Sequence, residues 1–180
     1  MALFLVESPM PVSTDRSGIQ AALDRLAEAI QARSGALIEA QVTSDRSQLF
    51  VILEAPDEAT VRQAAREIDL PITLVKTVRL VGQTLEEVRS SQGAVDYIVE
   101  WNFPAGLTME AYLQRKAANS PKYALVPEVR FLRTYVCEDM SKCLCFYDAE
   151  NVEDVLKARQ AVEAPVDAVY RVGSADKEQP

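Results

Sequence analysis

Apolar residues recur along the chain at two spacings: in short continuous runs, and at every third or fourth residue. Continuous runs bounded by turn residues are typical of strands, and the wider spacing is typical of amphipathic helices. In the first half the pattern predicts strands at 3–7, 36–43, 48–54 and 72–81, with helices at about 14–33 and after the cap residue Asp57. In the second half it predicts strands at 97–102, 129–137, 142–148 and 166–172, with helices at 108–119 and after Asn151.

The two halves match each other in sequence. Residues 4–7 align with 97–100 at an offset of 93, and later positions align at an offset of 94, including Pro71 with Pro165. We therefore expect a tandem duplication, with chance similarity between two αβ segments as the alternative. The expected domains are a degenerate unit at 1–82, a linker or short amphipathic helix at 83–95, a second unit at 96–173 and a flexible tail at 174–180.

The order of elements in each unit predicts the fold class. Strand-helix-strand-strand-helix-strand is the ferredoxin-like βαββαβ arrangement, an antiparallel sheet with both helices on one face. Residues 49–53 and 144–147 are apolar on both faces of their strands, so the open face of each sheet needs a cover. We expect an α+β protein with two tandem ferredoxin-like units whose sheets pack face to face, as an intramolecular dimeric α/β barrel.

Composition excludes several function classes. The 180 residues are 48% apolar and carry a net charge of -8, which disfavours nucleic acid as a partner. The absence of His removes Ser-His and Cys-His catalysis and every imidazole metal site. An odd count of three Cys and the lack of a signal peptide or a long apolar run predict a cytoplasmic protein without membrane insertion. A protein partner, and the choice between monomer and homodimer, stay open.

The second half resembles a known family. The motifs are residues 97–100 (YIVE), Thr134-Tyr135-Val136 with Asp139, residues 145–149 (CFYDA) and Ala164-Pro165. These motifs, in this order, resemble the DUF4242 family of small ferredoxin-like proteins, which includes a nickel-binding group. The resemblance implies a ferredoxin-like fold, typically in dimers, and a metal-linked role. The first half is similar but degenerate.

Three cysteines form the candidate metal site. Cys143 and Cys145 are two residues apart on a strand and so project from one face, and Cys137 ends the partner strand of the same hairpin. Thiolates suit soft or borderline metals, so the cofactor candidate is a divalent or soft metal such as Ni or Zn. Asp139 adds a carboxylate to the candidate ligands, although Asp in a hairpin turn also binds its own backbone. The alternative is that these cysteines are buried apolar residues of a strand.

Aromatic residues concentrate in the second half, and they outline a candidate pocket. Trp101, Tyr135 and Tyr147, with Glu100 as a polar group, predict a ligand-binding pocket. The alternatives are that the aromatics fill the core or form an interface, and that Glu100 points to solvent or pairs with an Arg such as Arg79 or Arg133. Glu7 is the counterpart of Glu100 in the first half.

Three functions are compatible with these features. We favour a non-catalytic binding protein that takes a metal ion or a small ligand at the second unit. The first alternative is an adaptor or assembly factor that acts through protein-protein contacts. The second is an enzyme of the dimeric α/β barrel type, with Glu100 or Tyr135 as the acid-base group.

Overall fold

A computed structural model describes residues 1–10, 14–91 and 95–174 of the chain. Its elements, in chain order, are β1 (Ala2–Pro9), α1 (Arg16–Gln31), β2 (Ala36–Thr43), β3 (Gln48–Ala55), α2 (Glu58–Glu67), β4 (Leu74–Val81), α3 (Leu85–Ser90), β5 (Tyr97–Asn102), α4 (Met109–Asn119), a 3₁₀ helix (Ser120–Leu125), β6 (Arg130–Cys137), β7 (Lys142–Asp148), α5 (Val152–Ala161) and β8 (Ala168–Ser174). The eight strands and four longer helices confirm the predicted element order. Of the predicted linker, residues 85–90 are helical and 92–94 lie outside the described residues, as do 175–180 of the predicted tail.

The strands form one closed barrel. Their order around it is β1-β3-β2-β8-β5-β7-β6-β4, and the pairs β2 with β8 and β4 with β6 are antiparallel. The prediction of two ferredoxin-like units with separate sheets packed face to face is therefore wrong. An edge strand has unpaired backbone groups and gains hydrogen bonds when it pairs with another strand. Here the edge strands β2 and β4 of the first half pair with β8 and β6 of the second half, and this pairing closes the sheet.

Three apolar layers explain why the strands are apolar on both faces. Residues from strands of both halves fill the barrel interior, among them Leu5, Phe50, Ile98 and Phe146. On the outside, α1 and α2 cover one half of the barrel wall. The helix α4, the 3₁₀ helix and α5 cover the other half. Among the described residues no helix is both long and apolar enough to span a membrane.

Two ion-paired groups lie in the barrel interior. A bulge in β2 at Leu37/Glu39 and a bulge in β6 at Phe131/Arg133 bring Glu39 and Arg133 together, with Nη2 2.6 Å and Nε 2.9 Å from the two carboxylate oxygens. Arg133 also lies against the Phe146 ring, 5.1 Å from its centroid. Burial opposes the charge of Arg133, but the hydrogen bonds and charge of Glu39 raise its pKa.

The second group has one cation and two carboxylates. The ammonium of Lys142 on β7 lies 2.8 Å from Glu7 Oε1 on β1 and 2.7 Å from Glu100 Oε1 on β5. Burial lowers the pKa of Lys142, and the hydrogen bonds to Glu100 and Glu7 more than offset that effect and raise it. The carboxylate of Glu100 therefore pairs with a lysine, and not with Arg79 or Arg133.

We expect Arg133→Met to destabilise the protein by about 3–5 kcal/mol, because Arg133 and Glu39 expose only 3% and 10% of their side chains and the lone carboxylate would stay buried. The double variant Glu39→Leu/Arg133→Met should recover most of that loss. Urea unfolding followed by circular dichroism measures both. As a control, Glu58→Gln removes an exposed ion pair with Arg62 and should change the free energy of unfolding by less than about 1 kcal/mol. A single variant as stable as the wild type would contradict the account.

Candidate functional site

The structure divides the predicted site residues between two faces of the barrel wall. Side chains alternate along a strand, so Cys143, Cys145 and Tyr147 of β7 point outward, toward α4 and α5. Trp101 of β5 packs with them. We call these four residues, with the buried side chains of α4 and α5 that pack on them, the outer cluster. The adjacent Glu100 instead contacts Lys142, whose side chain reaches across to Glu7 of the other half.

The other predicted residues lie away from this outer cluster. Tyr135 belongs to the interior cluster, and its hydroxyl donates a hydrogen bond to Glu39. Cys137 also belongs to the interior cluster, because Val136 is the residue that pairs with Cys143. Asp139 lies in the β6–β7 turn, where its carboxylate accepts hydrogen bonds from Ser141 N at 3.0 Å and Oγ at 2.6 Å.

The predicted metal-ligand set is therefore not brought together. The Cys143 and Cys145 sulfurs lie 3.9 Å apart on the outer face, which confirms that these two share a face. Cys137 lies on the other side of the wall, and Asp139 forms a 2.6 Å ion pair with Lys76. Within residues 1–10, 14–91 and 95–174, no group of three or more Cys, Asp or Glu side chains is arranged to hold a metal ion.

The outer cluster surrounds the sulfur of Cys145 with hydrogen-bond donors. Thr134 Oγ1 on β6 and Arg159 Nη1 on α5 each lie 3.3 Å from this sulfur. The Cys143 sulfur lies 3.9 Å away, and either thiol of the pair can act as the donor of this contact. Cys145 is 1% exposed, so these contacts are made without competition from water.

These contacts set the ionisation of the two thiols. The hydrogen bond from Cys143, followed by the charges of Arg159 and Lys116, holds the pKa of Cys145 well below its ordinary value despite burial. Burial raises the pKa of Cys143, and the charge of Cys145 raises it further. The contacts and charges around the two sulfurs thus favour the anionic form at Cys145 over the anionic form at Cys143.

Arg159 is the central cation of this cluster. It is 2% exposed and is placed by α5, which begins at the cap residue Asn151 and buries Val155 and Ala158 on the same side. Its Nη1 also donates to Tyr147 Oη at 3.2 Å, and its Nη2 donates to the carbonyl of Pro165. Its Nε has no partner among the described residues.

Lys116 of α4 supplies a second cation. Its ammonium lies 3.1 Å from Thr134 Oγ1 and 4.1 Å from the centroid of the Phe131 ring. Burial lowers the pKa of Lys116, while the charges of Cys145 and Cys143 oppose that effect. Among the described residues no Asp or Glu side chain forms an ion pair with Lys116 or Arg159. The charges of both cations lower the pKa of the Cys145 thiol.

A small cavity opens beside these cations. Its volume is about 30 Å³, and its walls come from β5, α4, the 3₁₀ helix and α5. The polar side chains that line it are those of Arg115, Lys116, Asn119, Ser120, Tyr123 and Arg159, with Trp101 and Tyr112 as aromatic walls. Arg159 thus borders the cavity and contacts Cys145 at the same time.

The aromatic walls hold the cations in place. The Arg115 guanidinium lies 5.3 Å from the centre of the Trp101 ring and also donates to the carbonyl of Glu163.

Tyr123 Oη lies 2.7 Å from Tyr147 Oη, and burial raises the pKa of Tyr123 to about 12. Both tyrosines are therefore neutral at physiological pH and contribute hydroxyl groups rather than charge.

Sequence reasoning missed Arg159, Lys116 and Thr134. A signal for Arg159 was present: it follows Ala158 within the apolar stripe of α5 and aligns with Ala65 in the first half at the offset of 94. Both positions are buried, at 2% each. An arginine at a position where the matching helix buries an alanine indicates a buried charge that needs an anion.

Residues 97–172, less than half of the chain, match the model of a family described as nickel responsive protein SCO4226-like. The matched segment contains every residue of the outer cluster and cavity. The DUF4242 assignment and the tandem duplication stay predictions. No curated protein sequence matches the chain.

A solved structure supports the barrel fold. The structure described as "Putative Chlorite dismutase TA0507" has a TM-score of 0.58 at 11% identity, over 97% of this chain and 96% of that chain. A "putative monooxygenase from Lactobacillus acidophilus NCFM" has a TM-score of 0.49 at 12% identity, over 97% and 93% of the two chains. At these identities, the first similarity supports the fold and nothing about activity. The chain is thus similar in fold to a chlorite dismutase-like barrel, and its second half is similar in sequence to nickel-responsive proteins.

Proposed function

We propose that the protein is a non-catalytic binding protein for a small oxyanion, a carboxylate or a phosphate-like group, held in the cavity between α4, the 3₁₀ helix and α5. The observation that carries the proposal is Arg159. Its guanidinium is almost fully buried, borders the cavity and keeps an unpartnered Nε. A buried donor without a partner costs about 1–3 kcal/mol, which a bound acceptor would recover.

The local charge favours an anion. The chain has a net charge of -8, yet Arg115, Lys116 and Arg159 all line this one cavity. A thiolate at Cys145 would balance one of these charges. The exposed Glu163, which pairs with Lys122 at 2.5 Å, lies close enough to interact with Arg115. A positive charge remains on the cavity wall, and guanidinium groups suit the planar fork of a carboxylate or phosphate.

The size of the cavity limits the ligand. About 30 Å³ exceeds the roughly 10–15 Å³ that one water needs and holds a group of a few heavy atoms. A larger molecule could place only its anionic group there. Of the predicted ligand residues, Trp101 lines this cavity, and Tyr147 contacts Arg159 and Tyr123 without lining it. The predicted residues Glu100 and Tyr135 do not line it either, and their bonds to Lys142 and Glu39 give no support to an acid-base role.

Nickel does not fit the residues present. Two thiols 3.9 Å apart are the available soft donors on the outer face, and a guanidinium nitrogen already lies 3.3 Å from the Cys145 sulfur. Nickel favours imidazole and other nitrogen or oxygen donors, and the chain contains no His. A second cation would also be repelled by Arg159 and Lys116. We therefore derive no nickel chemistry at this site.

We expect formate, acetate or inorganic phosphate to bind with one-to-one stoichiometry in isothermal titration calorimetry at low ionic strength. Lys116→Met should weaken the binding about tenfold or more, because a hydrogen bond to a charged group is worth about 1.5–3 kcal/mol. Lys157→Met is the matched control: it removes the same charge from an exposed position on α5, where Lys157 pairs with Asp154 at 3.5 Å. Equal affinities in the wild type and in Lys116→Met, or no binding of any of the three anions, would refute the proposal.

Native mass spectrometry of the untagged protein tests the metal assignment. After incubation with Ni²⁺ and desalting, we expect no stoichiometric nickel on the wild type and the same result for Cys143→Ser/Cys145→Ser. A His tag must be absent, because the chain has no His of its own. One nickel per wild-type chain that the double variant loses would contradict the geometric argument and restore the thiols as metal ligands.

A further inference from the structure

An apolar groove shares part of its wall with the cavity. Its volume is about 650 Å³, within the roughly 300–1,000 Å³ of sites that bind small molecules. Lys116, Ser120 and Tyr123 line both the cavity and the groove. The apolar wall of the groove comes from α4, the 3₁₀ helix and the segment that leads into β6, with Leu113, Ala117, Ala124, Pro127, Val129 and Phe131.

We propose that the ligand is a carboxylic acid with an apolar body, either an aromatic ring or an alkyl chain. Its carboxylate binds at Lys116, where the cavity and the groove meet, and its apolar body fills the groove. This inference rests on the proposed oxyanion binding and adds the class of molecule that carries the anionic group. A carboxylate has fewer heavy atoms than a phosphate and therefore suits the small cavity better.

The groove lies at positions that the first half fills with its own side chains. At the offset of 94 that aligns the two halves, the five buried residues of α1 match five residues that line the groove. β2 begins at residue 36 and β6 at residue 130, as this offset requires. The matched pairs are Ile19 with Leu113, Leu23 with Ala117, Leu26 with Ser120, Ala29 with Tyr123 and Ile30 with Ala124.

Three of these exchanges remove apolar volume. Leu23, Leu26 and Ile30 are at most 6% exposed in the first half, and their counterparts are two alanines and a serine. Ala117 and Ala124 are exposed although they match core positions. Open apolar surface of this kind is typical of ligand-binding grooves. The side chains that fill this space in the first half are thus replaced, in the second half, by the body of a ligand.

The path of the chain shapes both walls of the groove. α1 is helical to Gln31, but its counterpart α4 ends at Asn119 and continues as a 3₁₀ helix with Pro121 near its start. Pro121 has no N–H with which to continue the α-helical hydrogen bonds. At the other wall, a Cβ at Gly82 would lie 3.0 Å from Phe131 Cε1, so the glycine allows the Phe131 ring to lie against the chain at the end of β4.

The charges around the groove favour an anion. The Lys116 ammonium lies 4.1 Å from the centroid of the Phe131 ring, which lines the groove but not the cavity. A molecule bound in the groove therefore reaches the same ammonium as a group in the cavity. Arg130 is a second cation on the groove wall, and among the described residues no Asp or Glu lines the groove or the cavity. A carboxylate with an apolar body uses both the cations and the apolar wall.

Isothermal titration calorimetry of the wild type with acetate, phenylacetate and octanoate tests the proposal without a substitution. All three carry one carboxylate, but only the last two carry a body large enough to fill part of the groove. Each CH₂ group removed from water is worth about fourfold in affinity, so we expect phenylacetate or octanoate to bind at least about tenfold tighter than acetate. The tighter ligand should also show the more negative heat capacity change of binding, because it buries apolar surface. Which of the two gains the affinity distinguishes a ring from a chain.

Ala117→Trp tests the place of the apolar body. Ala117 lines the groove and not the cavity, and it is exposed, so the larger side chain occupies the groove without entering the core. The ratio of the tighter ligand's affinity to that of acetate should fall toward one. Ala118→Trp is the matched control, because Ala118 is also exposed on α4 but lines neither site. This control should keep the wild-type ratio.

Three results would overturn the proposal. They are equal affinities for all three carboxylates in the wild type, a wild-type ratio that Ala117→Trp retains, and a homodimer in light scattering that Ala117→Trp dissociates. The last result would make the groove a contact between two copies of the chain. Failure of the oxyanion proposal looks different, because then none of the anions binds. If acetate binds and Lys116→Met weakens its binding, but the larger carboxylates bind no tighter, the cavity remains the anion site and only the assignment of the groove fails.

Discussion

A buried guanidinium needs a negative charge beside it, and this requirement organises the second half of the protein. Arg159 projects from α5 toward Cys145 of β7 and is 2% exposed. An uncompensated charge at such a buried position would cost several kcal/mol. Among the described residues no carboxylate meets it. The guanidinium of Arg159 instead contacts the Cys145 sulfur at 3.3 Å and also borders a small cavity. The proposed anion binding follows from the second of these two ways of compensating the charge of Arg159.

The barrel makes this arrangement possible by separating the charges. Closure through β2–β8 and β4–β6 gives every strand an inner and an outer face, each covered by apolar side chains. The carboxylates of Glu7, Glu39 and Glu100 pair with Lys142 and Arg133 through the inner face. The outer face beneath α4 and α5 therefore keeps its cations without a carboxylate, and these cations lower the pKa of the Cys145 thiol beside them.

The element order and the shared face of Cys143 and Cys145 could be predicted because both depend on local periodicity. The closed barrel could not, since pairing of β2 with β8 joins residues about 130 positions apart and no local pattern reports it. The face of Cys137 depends on the β6–β7 register, which places Val136, and not Cys137, opposite Cys143. Glu100 and Trp101 were grouped as one pocket although neighbours on a strand point to opposite faces.

The roles of Arg159 and Lys116 were harder to predict for a different reason. A charged residue on a helix is usually solvated, and the sequence alone does not say which arginine is covered. The alignment of Arg159 with the buried Ala65 was the available indication that Arg159 is covered. The structure shows the reason, because α5 packs over β7 and places Arg159 against Cys145. Residue chemistry suggested a soft metal for the cysteines. The neighbouring cations change that inference, because they stabilise a thiolate and repel a metal ion.

The central claim is that Cys145 is an anion paired with Arg159, and a pH titration of thiolate ultraviolet absorbance tests it most directly. The wild type, Cys145→Ser and Cys137→Ser are compared under native conditions. We predict that one thiolate is already present at neutral pH, titrates well below the ordinary value of about 8.5, disappears in Cys145→Ser and persists in Cys137→Ser. If all three thiols of the wild type titrate at or above the ordinary value, Cys145 is not the partner of Arg159 and the account fails.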